Sequence, residues 1–168
     1  ESDGVTIDTV AAISVNRIGA TGAVASTPTD AVLIDLTTSS NGSIVLVSTL
    51  GGITLKDGDA DSKTIDVNGS GNILINAVAG SVDIQSGVST GTGHISVLAG
   101  TTLSQSQAAS DISTVGGTID IKAGAGISMV DGALTGSGGG NVRYESVAGD
   151  ITLGEIAAGS GKAAIIAT

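Results

Sequence analysis

Gly117-Thr-Ile-Asp-Ile-Lys-Ala123 and Gly140-Asn-Val-Arg-Tyr-Glu-Ser146 decide how this chain is read. Both follow one rule: glycine, then two aliphatic or aromatic positions separated by variable ones, then a small residue. The rule recurs in Gly42-Ser-Ile-Val-Leu-Val-Ser48, Gly71-Asn-Ile-Leu-Ile-Asn-Ala77, Gly93-His-Ile-Ser-Val-Leu-Ala99 and Gly161-Lys-Ala-Ala-Ile-Ile-Ala167. Successive glycines stand 29, 22, 24, 23 and 21 residues apart. Alternation of this kind puts one set of side chains on each face of a strand. Repetition at a fixed spacing of some 20–50 residues marks a stacked architecture.

Two weaker strands follow most heptapeptides. The first lies around Ile53/Leu55, Val82/Ile84, Leu103, Ile127/Met129 and Ile151/Leu153. The second lies near Ile65/Val67, Val88, Ile112, Leu134 and Ile156. Three short strands in a period of roughly 22 residues make one coil of a three-sided parallel solenoid. A single coil is one strand thick and cannot bury its own aliphatic face, so it must stack on copies of itself. The expected fold is therefore all-β, a right-handed parallel β-helix (β-solenoid) of about six or seven coils. Its inward ladders would be Ile44, Ile73, Ile95, Ile119, Val142, Ala163 and Leu46, Ile75, Val97, Ile121, Tyr144, Ile165, with Ser48, Ala77, Ala99, Ala123, Ser146, Ala167 at a corner. Glycine at the start of each heptapeptide is expected to serve a sharp bend or a positive φ.

The remainder of the chain fits this reading less tightly. Residues 1–41 read as irregular first coils, keeping strand-like alternation at Val5/Ile7, Ile13/Val15 and Val32/Ile34/Leu36, and 42–168 as the regular repeats of one continuous segment. Lys56 to Lys63 and Leu103 to Ser110 are expected to leave as loops, and Pro28 lies outside every repeat. The competing architecture is an immunoglobulin-like sandwich, which normally packs a large aromatic in its core. One Tyr, no Phe and no Trp speak against it.

Composition narrows the function. Of 168 residues 27 are glycine, 40% are hydrophobic and 13% are charged, too apolar and too patterned for a disordered linker. Sixteen acidic against six basic side chains leave a net charge of −10, which excludes a nucleic-acid partner that would need a basic footprint. Such acidity suits extracellular conditions or cation binding. No cysteine is present, no apolar run is long enough for a transmembrane segment, and Glu1 opens the chain without an initiator Met or signal peptide, as an internal or processed piece would.

The glycine-led units between Gly117 and Thr168, among them Gly-Gly-Thr-Ile-Asp-Ile-Lys-Ala, Gly-Ile-Ser-Met-Val-Asp-Gly and Gly-Asp-Ile-Thr-Leu-Gly, resemble the β-helical repeat regions of large exported bacterial surface proteins. The likeness is to filamentous-haemagglutinin-like adhesins and the giant surface proteins of planctomycetes. It covers about three quarters of the chain and is weakest before Asp30. What the resemblance implies is export, a cell-surface or extracellular position, and an elongated shaft that spaces or displays other domains.

Parallel β-helices also carry polysaccharide lyases and hydrolases, whose sites gather carboxylates with Arg, Lys or His on one outer face. The outward residues Asp120, Lys122, Arg143 and Glu145 are charged, yet in register Asp120 falls beside Arg143 and Lys122 beside Glu145, an ordinary pairing of opposite signs across strands. His94, the only histidine, has Asn72 and Thr118 as matched neighbours and no acid. No catalytic residue is assigned.

Asp57, Asp59 and Asp61 present alternate carboxylates in one loop, the spacing of a calcium loop. Ser62 and Asn68 stand where an EF-hand would have its glycine and its bidentate Glu. Calcium is the one cofactor suggested. Ice binding would need ranks of threonine, and none is evident at one ladder position. Outward aliphatics at Val45, Val47, Leu74, Leu98 and Ile166 form an apolar run that an N-terminal segment, a loop or a second copy would cover. The expected function is a non-enzymatic structural or adhesive shaft, or a filament-forming segment, associating with itself or with neighbouring segments of a longer chain and with surface glycans as candidate ligands. The alternative is a carbohydrate-binding or carbohydrate-cleaving β-helix.

Overall fold

A computed structural model describes residues 3–168 and shows an all-β parallel solenoid. Each coil runs through three strands, and each strand pairs with its equivalent in the next coil. The first sheet takes the heptapeptide strands Ile44–Ser48, Ile73–Ala77, Ile95–Ala99, Ile119–Ala123, Val142–Ser146 and Ala163–Ala167. The second takes Val5–Ile7, Ile53–Leu55, Val82–Ile84, Leu103–Gln105, Ile127–Met129 and Ile151–Thr152. The third takes Leu36–Thr38, Lys63–Val67, Gly87–Thr90, Ile112–Thr114, Leu134–Gly136 and Glu155–Ala157. All three are parallel, six strands each, and the mean period is near 24 residues.

The register of the first sheet is the one the heptapeptides imply. Ile44, Ile73, Ile95, Ile119, Val142 and Ala163 stack in one ladder, and Leu46, Ile75, Val97, Ile121, Tyr144 and Ile165 in the next. In the interior coils these side chains are 0–2% exposed. Fully burying one aliphatic side chain stabilises by about 1.5–3 kcal/mol, so the ladders hold the stack. At the final coil the same positions are open, with Ile165 51% exposed because no strand lies over it.

The repeat glycines owe their identity to stacking, not to a positive φ. None of Gly42, Gly71, Gly93, Gly117, Gly140 and Gly161 is among the positive-φ residues. A Cβ on Gly93 would instead overlap the carbonyl oxygen of Gly71, and one on Gly117 that of Gly93. The next glycine of the column thus leaves room for the backbone of the coil below. Thr90 Oγ1 donates to the Gly71 carbonyl at 2.7 Å and Thr114 Oγ1 to the Gly93 carbonyl at 2.8 Å, which satisfies buried acceptors at this corner.

Two expectations meet a different structure. Between Val5–Ile7 and Leu36–Thr38 the chain leaves the solenoid as an antiparallel arm: Val10 bridges Leu33, Ser14 bridges Thr29, and Arg17–Ile18 pairs with Val24–Ser26. Ile13 and Val15 therefore belong to a hairpin and not to a coil strand. Period-2 alternation describes both, and only the pairing separates them. The later excursion is also shorter than expected, since Leu103–Gln105 is itself a strand and only Ser106–Asp111 loops out.

Leu134 is the third correction. It is half-buried, while its neighbour Thr135 is fully buried and takes the rung beside Ile112. The inward hydroxyl is held by a polar cluster at the centre of the coil. Tyr144 Oη lies 2.6 Å from Thr135 Oγ1 and donates to Gln105 Oε1 at 2.8 Å, and Gln105 Nε2 donates to the Ser110 carbonyl at 2.7 Å. One residue from each sheet thus meets across the core. Burial pushes the Tyr144 phenol far above its ordinary range, against the opposing hydrogen bond with Thr135.

Candidate functional site

The acidic loop is built by its first aspartate. Asp57 accepts from the N–H groups of Asp59, Ala60 and Ser62 at 3.2, 2.7 and 3.0 Å, and Ala60 and Ser62 take positive φ to make the turn. Desolvation pushes the Asp57 carboxyl up, but the Ser62, Ala60 and Asp59 amides outweigh it and hold it below the ordinary aspartate range. Asp57 is therefore committed to the loop backbone.

The carboxylates that converge are Asp35, Asp59 and Asp61, each offering an oxygen within 4.8 Å of the others. Asp35 arrives from the base of the arm, where Ile34 packs close to Gly58. Asp59 and Asp61 are exposed and Asp35 is half-buried. Asp35 Oδ1 is out of contact with solvent and has no hydrogen-bond partner. Desolvation, followed by repulsion from Asp61, Asp59, Asp57 and Asp66, raises its carboxyl above the ordinary range. Such a set of hard oxygen donors is able to coordinate a divalent cation. Of the sequence-based triad Asp57, Asp59 and Asp61, the structure brings Asp59 and Asp61 together with Asp35, which lies 22 positions before Asp57 in the chain.

The outer face of the first sheet carries two rows. Val45, Leu74, Ser96, Asp120, Arg143 and Ala164 form one; Val47, Asn76, Leu98, Lys122, Glu145 and Ile166 form the other. Val45 is 66% and Val47 43% exposed, Leu74 and Leu98 are half-buried, and the four make one apolar patch on the first three rungs. Ile166 stands apart on the sixth rung, beyond Lys122 and Glu145. The charged quartet fills the rungs between. Arg143 holds Asp120 by Nε at 2.8 Å, Lys122 reaches Glu145 at 2.9 Å, and Arg143 Nη1 reaches Glu145 at 2.8 Å. The Lys122 hydrogen bond first, and the nearby Arg143 charge as well, keep the Glu145 carboxyl below the ordinary range.

His94 belongs to a corner ladder of backbone hydrogen bonds. Its Nδ1 accepts the Thr118 N–H at 2.9 Å, and its own N–H donates to Asn72 Oδ1 at 2.8 Å. The second sheet carries an outward row that the sequence did not reveal: Thr6, Thr54, Asp83, Ser104, Ser128 and Thr152 share one column. Variable linkers hid that alignment, and Ser104 Oγ donates to Asp83 Oδ1 at 2.7 Å within it. Threonine holds only three of its six positions, with Asp83, Ser104 and Ser128 between them, so no regular rank of threonines forms there.

Among the described residues no helix is long and apolar enough to cross a membrane. No family model, curated protein or solved structure matches this chain, and the generic β-solenoid rests on its own strand pairing.

Proposed function

We propose that this chain is a non-enzymatic shaft segment of an exported bacterial surface protein, a stiff spacer or adhesive rod. The observation that carries the reading is the parallel stacking of six coils in three sheets, in register except for one shift at Gly87/Val88. Such a stack is quasi-one-dimensional, each coil contacting its neighbours, and its length follows coil number. The pairing of the charged quartet among itself supports a surface that does no proton chemistry. Export, surface display and the adhesin-like role come from the resemblance of the repeat units.

Electron microscopy of the native material beside the 168-residue chain tests this. Rods whose length scales with coil number at about 4.8 Å per coil are the expected result. Compact particles that bind or cleave a polysaccharide in a glycan screen would replace the shaft with the carbohydrate-active alternative.

A second reading, favoured by the buried unpartnered oxygen of Asp35, is that calcium braces the base of the arm through Asp35, Asp59 and Asp61. A carboxyl with a raised folded pKa contributes a destabilisation that is absent below its unfolded pKa, grows between the unfolded and folded values, and is fully present above the folded one. In chelator near neutral pH, Asp35→Asn is therefore expected to melt above the parent chain, and calcium should raise the parent's melting temperature more than the variant's. A parent whose melting temperature is the same in calcium and in chelator would sink the reading.

A further inference from the structure

We infer that the outer face of the first sheet pairs with the same face of a second copy, the two solenoids running parallel about a two-fold axis along their length. This goes beyond the shaft reading, which needs one rod only.

The two outward rows are the reason. A two-fold axis along the stack lays the first row of one copy over the second row of the other, rung by rung. Asp120 then meets Lys122 of the second copy, and Arg143 meets Glu145 of the second copy. On the apolar rungs Val45 falls on Val47 of the second copy, while Leu74 falls on the uncharged Asn76 and Leu98 on the uncharged Ser96 of the second copy. Every charge in the face already has a partner of opposite sign in its own chain, so closing the face leaves none buried alone. The pairing adds a second layer of opposite signs to the first.

The antiparallel arrangement fails the same test when all six rungs overlap. Reversing one stack sets Arg143 of the second copy on Leu74 and Lys122 of the second copy on Leu98, burying charge against aliphatic surface. Among fully overlapped pairs electrostatic complementarity therefore selects the parallel direction. An antiparallel pair that opposes rungs three to six also matches Asp120 with Arg143 and Lys122 with Glu145 but covers only four rungs. The parallel interface is isologous and closed.

Nothing in the described part of the chain competes for this face. The arm leaves at the corner between the second and third sheets, where Thr9 Oγ1 bonds the Gly58 carbonyl and Asp8 pairs with Lys56 at 3.0 Å. Six strands of five residues span roughly 29 by 16 Å, at the small end of specific interfaces. The pair is accordingly reversible and concentration-dependent.

Sedimentation equilibrium of the 168-residue chain over a concentration series tests the inference. A monomer–dimer equilibrium is expected. Val45→Glu with Val47→Glu, both at exposed positions, should weaken it by about tenfold or more, because like charges then face each other. Reversing all four charges together (Asp120→Lys, Lys122→Asp, Arg143→Glu, Glu145→Arg) should preserve self-pairing while abolishing mixed pairs with the parent chain, read by native mass spectrometry. Ile165→Glu, at the open end of the stack, should change end-to-end contacts and leave the pair intact. A chain that stays monomeric throughout, a double-Glu variant that pairs as the parent does, or free mixing of the charge-reversed chain with the parent would each overturn the proposal. Rods that lengthen without ever pairing would overturn it while leaving the shaft reading standing.

Discussion

Tyr144→Ala should lower the unfolding free energy by about 3–5 kcal/mol, the range for deleting a large buried aromatic, measured as a shift in the denaturant midpoint. Tyr144 is wholly buried and is the largest side chain in the core. Its ring fills a rung where the neighbouring coils place Ile121 and Ile165, and its hydroxyl joins Gln105 and Thr135. Tyr144→Phe keeps the volume but removes one hydroxyl from that cluster, at a cost of about 1–3 kcal/mol for polar atoms left unmatched in the core. Making all three members apolar (Tyr144→Phe, Gln105→Met, Thr135→Val) should recover most of the single-variant loss, because a polar cluster removed whole leaves fewer orphans than one removed in part. A triple variant as unstable as the sum of the singles would show that the cluster is not a unit.

Gly93→Ala and Gly117→Ala should each cost about 2–3 kcal/mol, the upper part of the usual overpacking range, whereas Gly42→Ala should be nearly silent. The three glycines share one repeat position. At Gly93 and Gly117 the added methyl would run into the backbone carbonyl of the preceding coil. At Gly42 no heptapeptide coil precedes it, and the methyl would meet only the Thr38 side chain at 3.5 Å, an ordinary contact. Thermal melts of the three variants separate this steric account from a conformational one. Equal losses at all three positions would indicate that the glycine is needed for local backbone geometry. Loss confined to the stacked positions would locate the requirement in the approach of adjacent coils.

The steric account also explains why these glycines are spaced as they are. The hydroxyls of Thr90 and Thr114 bond the same carbonyls that a Cβ would strike, so this corner is both the closest approach of successive coils and a hydrogen-bonded seam. Stiffness of the rod is expected to reside there and in the aliphatic ladders, since both repeat on consecutive rungs.

The aliphatic ladders and the three-strand coil were legible from the heptapeptides alone. Parallel in-register stacking forces equivalent positions onto one column, so a constant phase across Ile44, Ile73, Ile95, Ile119 and Val142 determines both which face is buried and which residues touch. The opposite-sign pairs Asp120–Arg143 and Lys122–Glu145 followed from the same register. Other features were beyond reach of any one-dimensional pattern. Alternation at Ile13 and Val15 names a face but not a partner, so the arm emerged only from its antiparallel bridges. Asp35 joins Asp59 and Asp61 because the base of that arm lies beside the next coil's loop, a juxtaposition set by stacking. Thr135 turns inward in place of Leu134 because Tyr144 and Gln105, on two other sheets, supply its hydrogen-bond partners. A local pattern records the period of the chain, whereas these contacts join residues that only the closed coil brings together.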